Sequence, residues 1–75
     1  MRVHAVAFRH KTPGEGVGGF EWDVDPVAAR DRIAASGVYG DHNYEVYEQS
    51  FEVPFTLDEK DAITDYIDAE LWVNG

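Results

Sequence analysis

Seventy-five residues suffice for one domain, expected to span 1–75 without room for a second. With 44% apolar and 13% aromatic residues the chain holds enough side chains for one compact core, and with no cysteine that core must form without disulfides or thiolate-bound metal. Fifteen acidic against six basic side chains leave a net charge of −9, a field that repels nucleic acid and anionic membrane and attracts cationic surfaces.

The basic residues Arg2, Arg9 and Lys11 sit at the start, and thereafter only Arg30, Arg32 and Lys60 face the acids. Residues 1–10, MRVHAVAFRH, carry charge and aromatic groups throughout and show neither an apolar leader core nor a small-residue cleavage site. No apolar run approaches the ~20 residues of a membrane-spanning helix, so a cytoplasmic location is expected.

In chain order, residues 2–10 place Val3, Ala5 and Ala7 on one side and His4, Val6, Phe8 and His10 on the other, which predicts a strand buried on both faces. Residues 12–19 contain Pro13 and four glycines and are expected to form a loop. From Phe20 to Asp25 the alternation predicts a second strand, paired with the first as a hairpin, with Phe20, Trp22 and Val24 inward and Glu21, Asp23 and Asp25 outward.

Asp25 and Pro26 then supply an N-cap and a first-turn proline. The helix they open is expected to reach about Ser36, burying Val27, Ala29, Ile33 and Ala34, with Gly37 in the left-handed position after its end and Val38 as the accompanying apolar contact. Tyr44 to Phe55 reads as a long third strand whose alternation breaks midway; either a bulge between Tyr47 and Ser50 or partial cover on both faces reconciles its halves. Thr56 and Glu59 match a capping box that starts a last helix at Leu57, with Ile63, Ile67 and Leu71 facing the sheet and Ala62, Tyr66, Ala69 and Val73 beside them. The expected fold is α+β, in the order β-β-α-β-α. It is a two-layer sandwich in which both helices cover one face of a small, mostly antiparallel three-stranded sheet.

Asp58, Asp61, Asp65 and Asp68 recur at intervals of three, four and three residues, which aligns them on one helical stripe opposite the core, with Trp72 extending it. Like charges so spaced cost about 0.2–0.5 kcal/mol per pair in isolated helices, and anions near a helix C-terminus oppose the macrodipole. Helix stability therefore does not select this row. A solvated face that keeps a small domain in solution is its plainest explanation, and adaptation to high salt another, since lysine occurs only twice. As a site, the row joins Glu21 and Asp23 on the second strand and Glu48 and Glu52 on the third in a partner-binding surface, with Trp72 and Tyr44 as aromatic anchors.

Catalytic and cofactor signals fail on chemical grounds. Gly14, Gly16 and Gly19 match G-x-G-x-x-G, yet a strand follows where a phosphate-binding helix must begin. Asp23-Val24-Asp25 lacks the glycine and the oxygen ligand that a calcium loop needs after it. His4 and His10 stand too far apart on an extended strand to share an ion. No serine or threonine occupies a nucleophile elbow, and carboxylates on an open helix face lack a pocket to separate acid from base. No catalytic residue, metal or cofactor is expected, and the reading is non-enzymatic.

In its size, its β-β-α-β-α order and the row Asp58, Asp61, Asp65, Asp68, the chain resembles the small acidic phage-encoded anti-CRISPR and anti-restriction proteins. Many of these block a nucleic-acid channel by imitating DNA. The resemblance implies an inhibitor in the host cytoplasm whose acidic face competes with DNA for a basic surface of a multisubunit CRISPR surveillance complex. The basic start departs from a uniformly acidic mimic. Two other classes stay open: a homodimeric assembly module joined through the open sheet face or the 44–55 strand edge, and an antitoxin-like partner of a basic toxin.

Overall fold

The strand β1 (Arg2–His10) is the centre of the molecule because it offers apolar side chains in both directions. A computed structural model describes residues 1–12, 17–54 and 56–74, and the side chains of 1–12, 18–54 and 56–71. Beside β1 lie β2 (Val17–Asp23) and β3 (Tyr44–Glu52), both antiparallel to it, giving the sheet order β2-β1-β3. The outer strands are therefore parallel to each other and are joined by α1 (Pro26–Ala34) and a short 3-10 turn (Val38–Gly40); α2 (Lys60–Asn74) ends the fold. The α+β class and the β-β-α-β-α order are those expected from sequence.

The layering differs. Val3, Ala5 and Ala7 pack with Phe51, Val53, Ile63, Ile67 and Leu71, so α2 covers the odd-numbered face of β1. Val6 packs instead with Ala29, Ile33 and Val38, so α1 covers the even-numbered face. Consecutive residues Ala5, Val6 and Ala7 are each at most 1% exposed, which requires cover on both sides. The helices lie on opposite faces of the sheet, and the molecule has three layers rather than two.

This arrangement also accounts for β3. Its pairing with β1 runs without interruption from Arg2 opposite Glu52 to His10 opposite Tyr44, so the strand contains no bulge. Tyr47 and Phe51 serve the α2 side while Tyr44 and Val46 serve the α1 side. Among the described residues the one irregularity of the sheet falls in the other pair, where Phe8 faces Gly19 and Arg9 faces Val17, leaving Gly18 as the extra residue. Val17, Gly18 and Gly19 thus belong to β2 and not to the expected loop. The Phe8 ring lies against both glycines, and a Cβ on Gly19 would stand 2.9 Å from its Cζ. Gly14 and Gly16, and Phe55 of the expected third strand, lie outside the described residues.

Local chemistry sets the remaining boundaries. The alternation of β2 stops at Asp23 because its Oδ1 accepts the Asp25 N–H at 2.9 Å, which turns the chain and leaves Val24 61% exposed rather than inward. Asp25 Oδ1 accepts the Val27 N–H at 3.0 Å and Pro26 opens α1, as its sequence requires. Within α1 only Ala29 and Ile33 are buried; Val27 is 56% exposed and Ala34 is exposed as well. Gly37 takes a φ of 79°, the left-handed value, and Val38 beyond it is buried. α2 starts three residues later than Thr56 and Glu59 suggest. Leu57 N–H bonds to Pro54 C=O in a preceding turn, and the first helical bond runs from Ile63 N–H to Glu59 C=O.

Candidate partner-binding surface

Ile63, Ile67 and Leu71 point α2 into the larger core, and the opposite side of the helix is thereby turned to solvent. Asp61, Asp65 and Asp68 lie on that side and are exposed, with Asp58 exposed just before the first turn. Among the described residues none of these four carboxylates forms an ion pair, and Lys60 is the one cation that α2 carries. The backbone of Trp72 belongs to α2, while its side chain lies outside the described residues.

The strand carboxylates behave differently. Arg2 and the Met1 ammonium meet Glu52 at 3.5 and 3.4 Å, Arg9 pairs with Glu45, Arg30 reaches Glu48 at 2.9 Å and Arg32 reaches Asp23 at 2.8 Å. All four arginines of the chain are thus engaged with sheet carboxylates. Such exposed pairs are each worth about 0–1 kcal/mol. Their effect on the field is larger than on stability, since they confine the uncompensated negative charge to other parts of the surface.

Glu21, Asp23, Glu48 and Glu52 therefore do not extend the helical row. They belong to the face of the sheet that α1 covers, opposite α2, and of these four only Glu21 is without an ion pair among the described residues. Tyr44 is half-buried against Phe8 and His10, at ring-centroid distances of 5.5 and 5.3 Å, and serves the smaller core. Of the expected site, the structure brings together Asp61, Asp65 and Asp68 on the exposed side of α2; Asp58, expected on the same helical stripe, precedes the helix, because the chain first turns at Leu57.

Two grooves border the row. One, of about 610 Å³, runs between β2 and α2 and is lined by Phe20, Trp22, Arg32, Lys60, Thr64 and Asp68 among others. The other, of about 460 Å³, is more apolar, with Met1, Trp22, Val24, Pro54, Leu57 and Ile63 flanked by Asp58 and Lys60. They share Trp22, whose indole N–H donates to Thr64 Oγ1 at 2.8 Å while the Thr64 hydroxyl donates to Lys60 C=O at 2.9 Å. Trp22 was expected only as a core residue. Its position at the sheet margin, where it is half-buried, depends on α2 crossing β2, which periodicity within one strand does not reveal.

None of the groups with displaced titrations is itself part of the lining of these grooves. A hydrogen bond from His4, whose Nε2 is 2.6 Å from Glu48 Oε1, holds Glu48 below the usual carboxylate range, with Arg30 adding to the effect against a smaller desolvation. Asp23 is likewise lowered, first by the Asp25 N–H and further by Arg32, against partial burial. Tyr47 is raised by desolvation, and its hydroxyl is shielded from solvent with no hydrogen-bond partner among the described residues. A carboxyl group lowered in the folded state stabilises the fold above its unfolded value and ceases to do so as pH falls through the folded one. Stability should therefore decline as pH drops below about 4. Urea titrations at pH 6 and pH 3 should show a smaller decline for the double variant Asp23→Asn/Glu48→Gln than for the parent chain.

Among the described residues no cluster of three or more His, Asp or Glu side chains is placed to hold a metal ion, and no helix is long and apolar enough to cross a membrane. Compared with protein-family profiles, curated proteins and solved structures, the chain matches none.

Proposed function

We propose that the protein is a non-enzymatic inhibitor that docks the Asp58, Asp61, Asp65 and Asp68 row onto a basic nucleic-acid-binding surface of another protein. The supporting observation is the segregation of charge: every arginine is paired with a sheet carboxylate, while the four aspartates stand exposed and unpaired among the described residues. A uniform solubility or high-salt surface would give no reason for that division. Carboxylates repeating along a rigid helix imitate the spaced anions of a nucleic-acid backbone, and a lysine- and arginine-lined groove is the surface that recognises such a pattern. The apolar groove beside Asp58 offers a seat for an apolar side chain next to the partner's cations.

Within this reading the target is a DNA-binding surveillance complex of the CRISPR type, and the protein acts in the cytoplasm of the cell that holds it. The test uses Asp58→Asn, Asp61→Asn, Asp65→Asn and Asp68→Asn in one chain. Parent protein coupled to a resin should capture a CRISPR surveillance complex and prevent its binding to target duplex. Capture should fall at least about tenfold between 50 and 300 mM salt. The fourfold variant should fold as well as the parent or better, because helix repulsion is relieved, and should lose capture. Equal capture by parent and variant removes the acidic row from the mechanism.

A further inference from the structure

The hydrogen-bond phase of the sheet identifies which backbone groups face outward. Val53 N–H bonds to Met1 C=O at 2.8 Å, the Met1 ammonium bonds to Val53 C=O at 3.0 Å, and Lys11 N–H bonds to Asn43 C=O at 3.0 Å. Odd residues of β1 are therefore bonded to odd residues of β3, and with the register unbroken between them the even residues of β3 turn their N–H and C=O groups away from the sheet. Tyr44 N–H is taken by Asp41 C=O and Glu52 C=O by the Tyr66 hydroxyl at 3.5 Å. Among the described residues, the N–H and C=O groups of Val46, Glu48 and Ser50 have no partner.

The two sheet edges are not equivalent. On β2, the same phase turns Phe20 and Trp22 outward, and Arg32 closes the Trp22 C=O at 2.9 Å. That edge is further interrupted by the irregularity at Gly18. β3 lacks most of the usual protections: it is nine residues long, straight in register, contains no proline, lysine or bulge, and its three glutamates are paired with cations of its own chain.

We propose that β3 pairs antiparallel with β3 of a second copy of this chain, forming a continuous six-stranded sheet. Two molecules of net charge −9 repel each other, so association needs a surface where the charge is locally balanced. β3 is that surface. Glu45 is paired with Arg9, Glu48 with His4 and Arg30, and Glu52 with Arg2 and the Met1 ammonium. An extended basic peptide would find little unbalanced charge there, whereas an identical strand meets its own outward groups in a two-fold arrangement. Outward groups must face outward groups, so the two-fold axis passes beside an odd residue, Tyr47 or Gln49, or through Glu48. The last register sets Glu48 against Glu48, a like-charge pairing that strands avoid. With the axis at Tyr47 or at Gln49, the N–H groups of Val46, Glu48 and Ser50 all bond across the interface.

Analytical ultracentrifugation of the full chain from 1 to 500 μM, joined to amide hydrogen exchange, tests this directly. A dimer is expected, with the amides of Val46, Glu48 and Ser50 exchanging more slowly as the dimer fills, although nothing among the described residues protects them. Ser50→Pro removes an outward N–H without touching the β1 ladder and should weaken dimerisation at least about tenfold. Ser50→Ala keeps the N–H and should dimerise as the parent does. A monomer at every concentration overturns the proposal, as does a dimer in which these three amides remain fast. Unchanged dimerisation of a folded Ser50→Pro chain also overturns it. None of these readings depends on the acidic row, so the fourfold aspartate variant should dimerise normally.

Discussion

Ile67→Ala is expected to cost about 2–5 kcal/mol and to leave a substantial unfolded population at room temperature. Ile67 is fully buried where α2 meets the sheet, in contact with the cluster of Val3, Ala5, Ala7, Phe51 and Val53. On this side β1 contributes only Val3 and two alanines, so the larger aliphatic groups of α2 fill most of the space between the layers, and their neighbours have little freedom to close a void. A domain of this size has roughly 5 kcal/mol or somewhat more in total, so the loss approaches the whole. Urea unfolding followed by circular dichroism measures it, and a cost below about 1 kcal/mol would mean that α2 is not seated as described.

Val6→Asp should have an effect at least as large, about 3 kcal/mol or more, because it places an unpaired carboxylate at a site with no exposure between β1 and α1. The nearest arginines of α1 are already committed, Arg30 to Glu48 and Arg32 to Asp23. The result discriminates between layer arrangements. Were both helices on the α2 side, Val6 would face water and an aspartate there would be tolerated, as Glu48 is on the neighbouring strand. Loss of the folded signal in a one-dimensional proton spectrum is the outcome that three layers require.

The sequence made β1 legible in full, since apolar side chains at both odd and even positions admit only a strand covered twice. The same signal was present in β3, where Tyr47 and Phe51 oppose Tyr44 and Val46, and cover on both faces was one of two readings it allowed. What periodicity lacks is the identity of the cover. It defines a buried side for each helix but not the face of the sheet that receives it, and the inward side of α1 is only Ala29 and Ile33, with Val38 beyond the helix. Boundaries failed where a local hydrogen bond competed with the pattern, as at Asp23, which captures the Asp25 amide, and at Leu57, which bonds to Pro54 before the helix can begin.

The acidic row was legible for the same reason as the core of α2: spacing of three and four residues sorts a helix into sides. The neutralisation of the strand carboxylates was not, because it depends on long-range pairings. Arg9 and Glu45 are 36 positions apart, and Arg30 and Glu48 are 18 apart. Glu48 and Glu52 looked equivalent to Asp61 and Asp65 in the sequence, and only the sheet register separates bound from available charge.

The order β2-β1-β3 has a consequence for biosynthesis. The middle strand leaves the ribosome before either neighbour, yet its second flank is not complete until residue 52 has been made. At about 5–20 residues per second that interval lasts roughly two to eight seconds, during which the nascent hairpin displays the Val3 to Ala7 segment bare. Chaperone capture should therefore concentrate on chains arrested before Glu52 and disappear once α2 has emerged, a hazard of translation separate from the open β3 edge of the finished molecule.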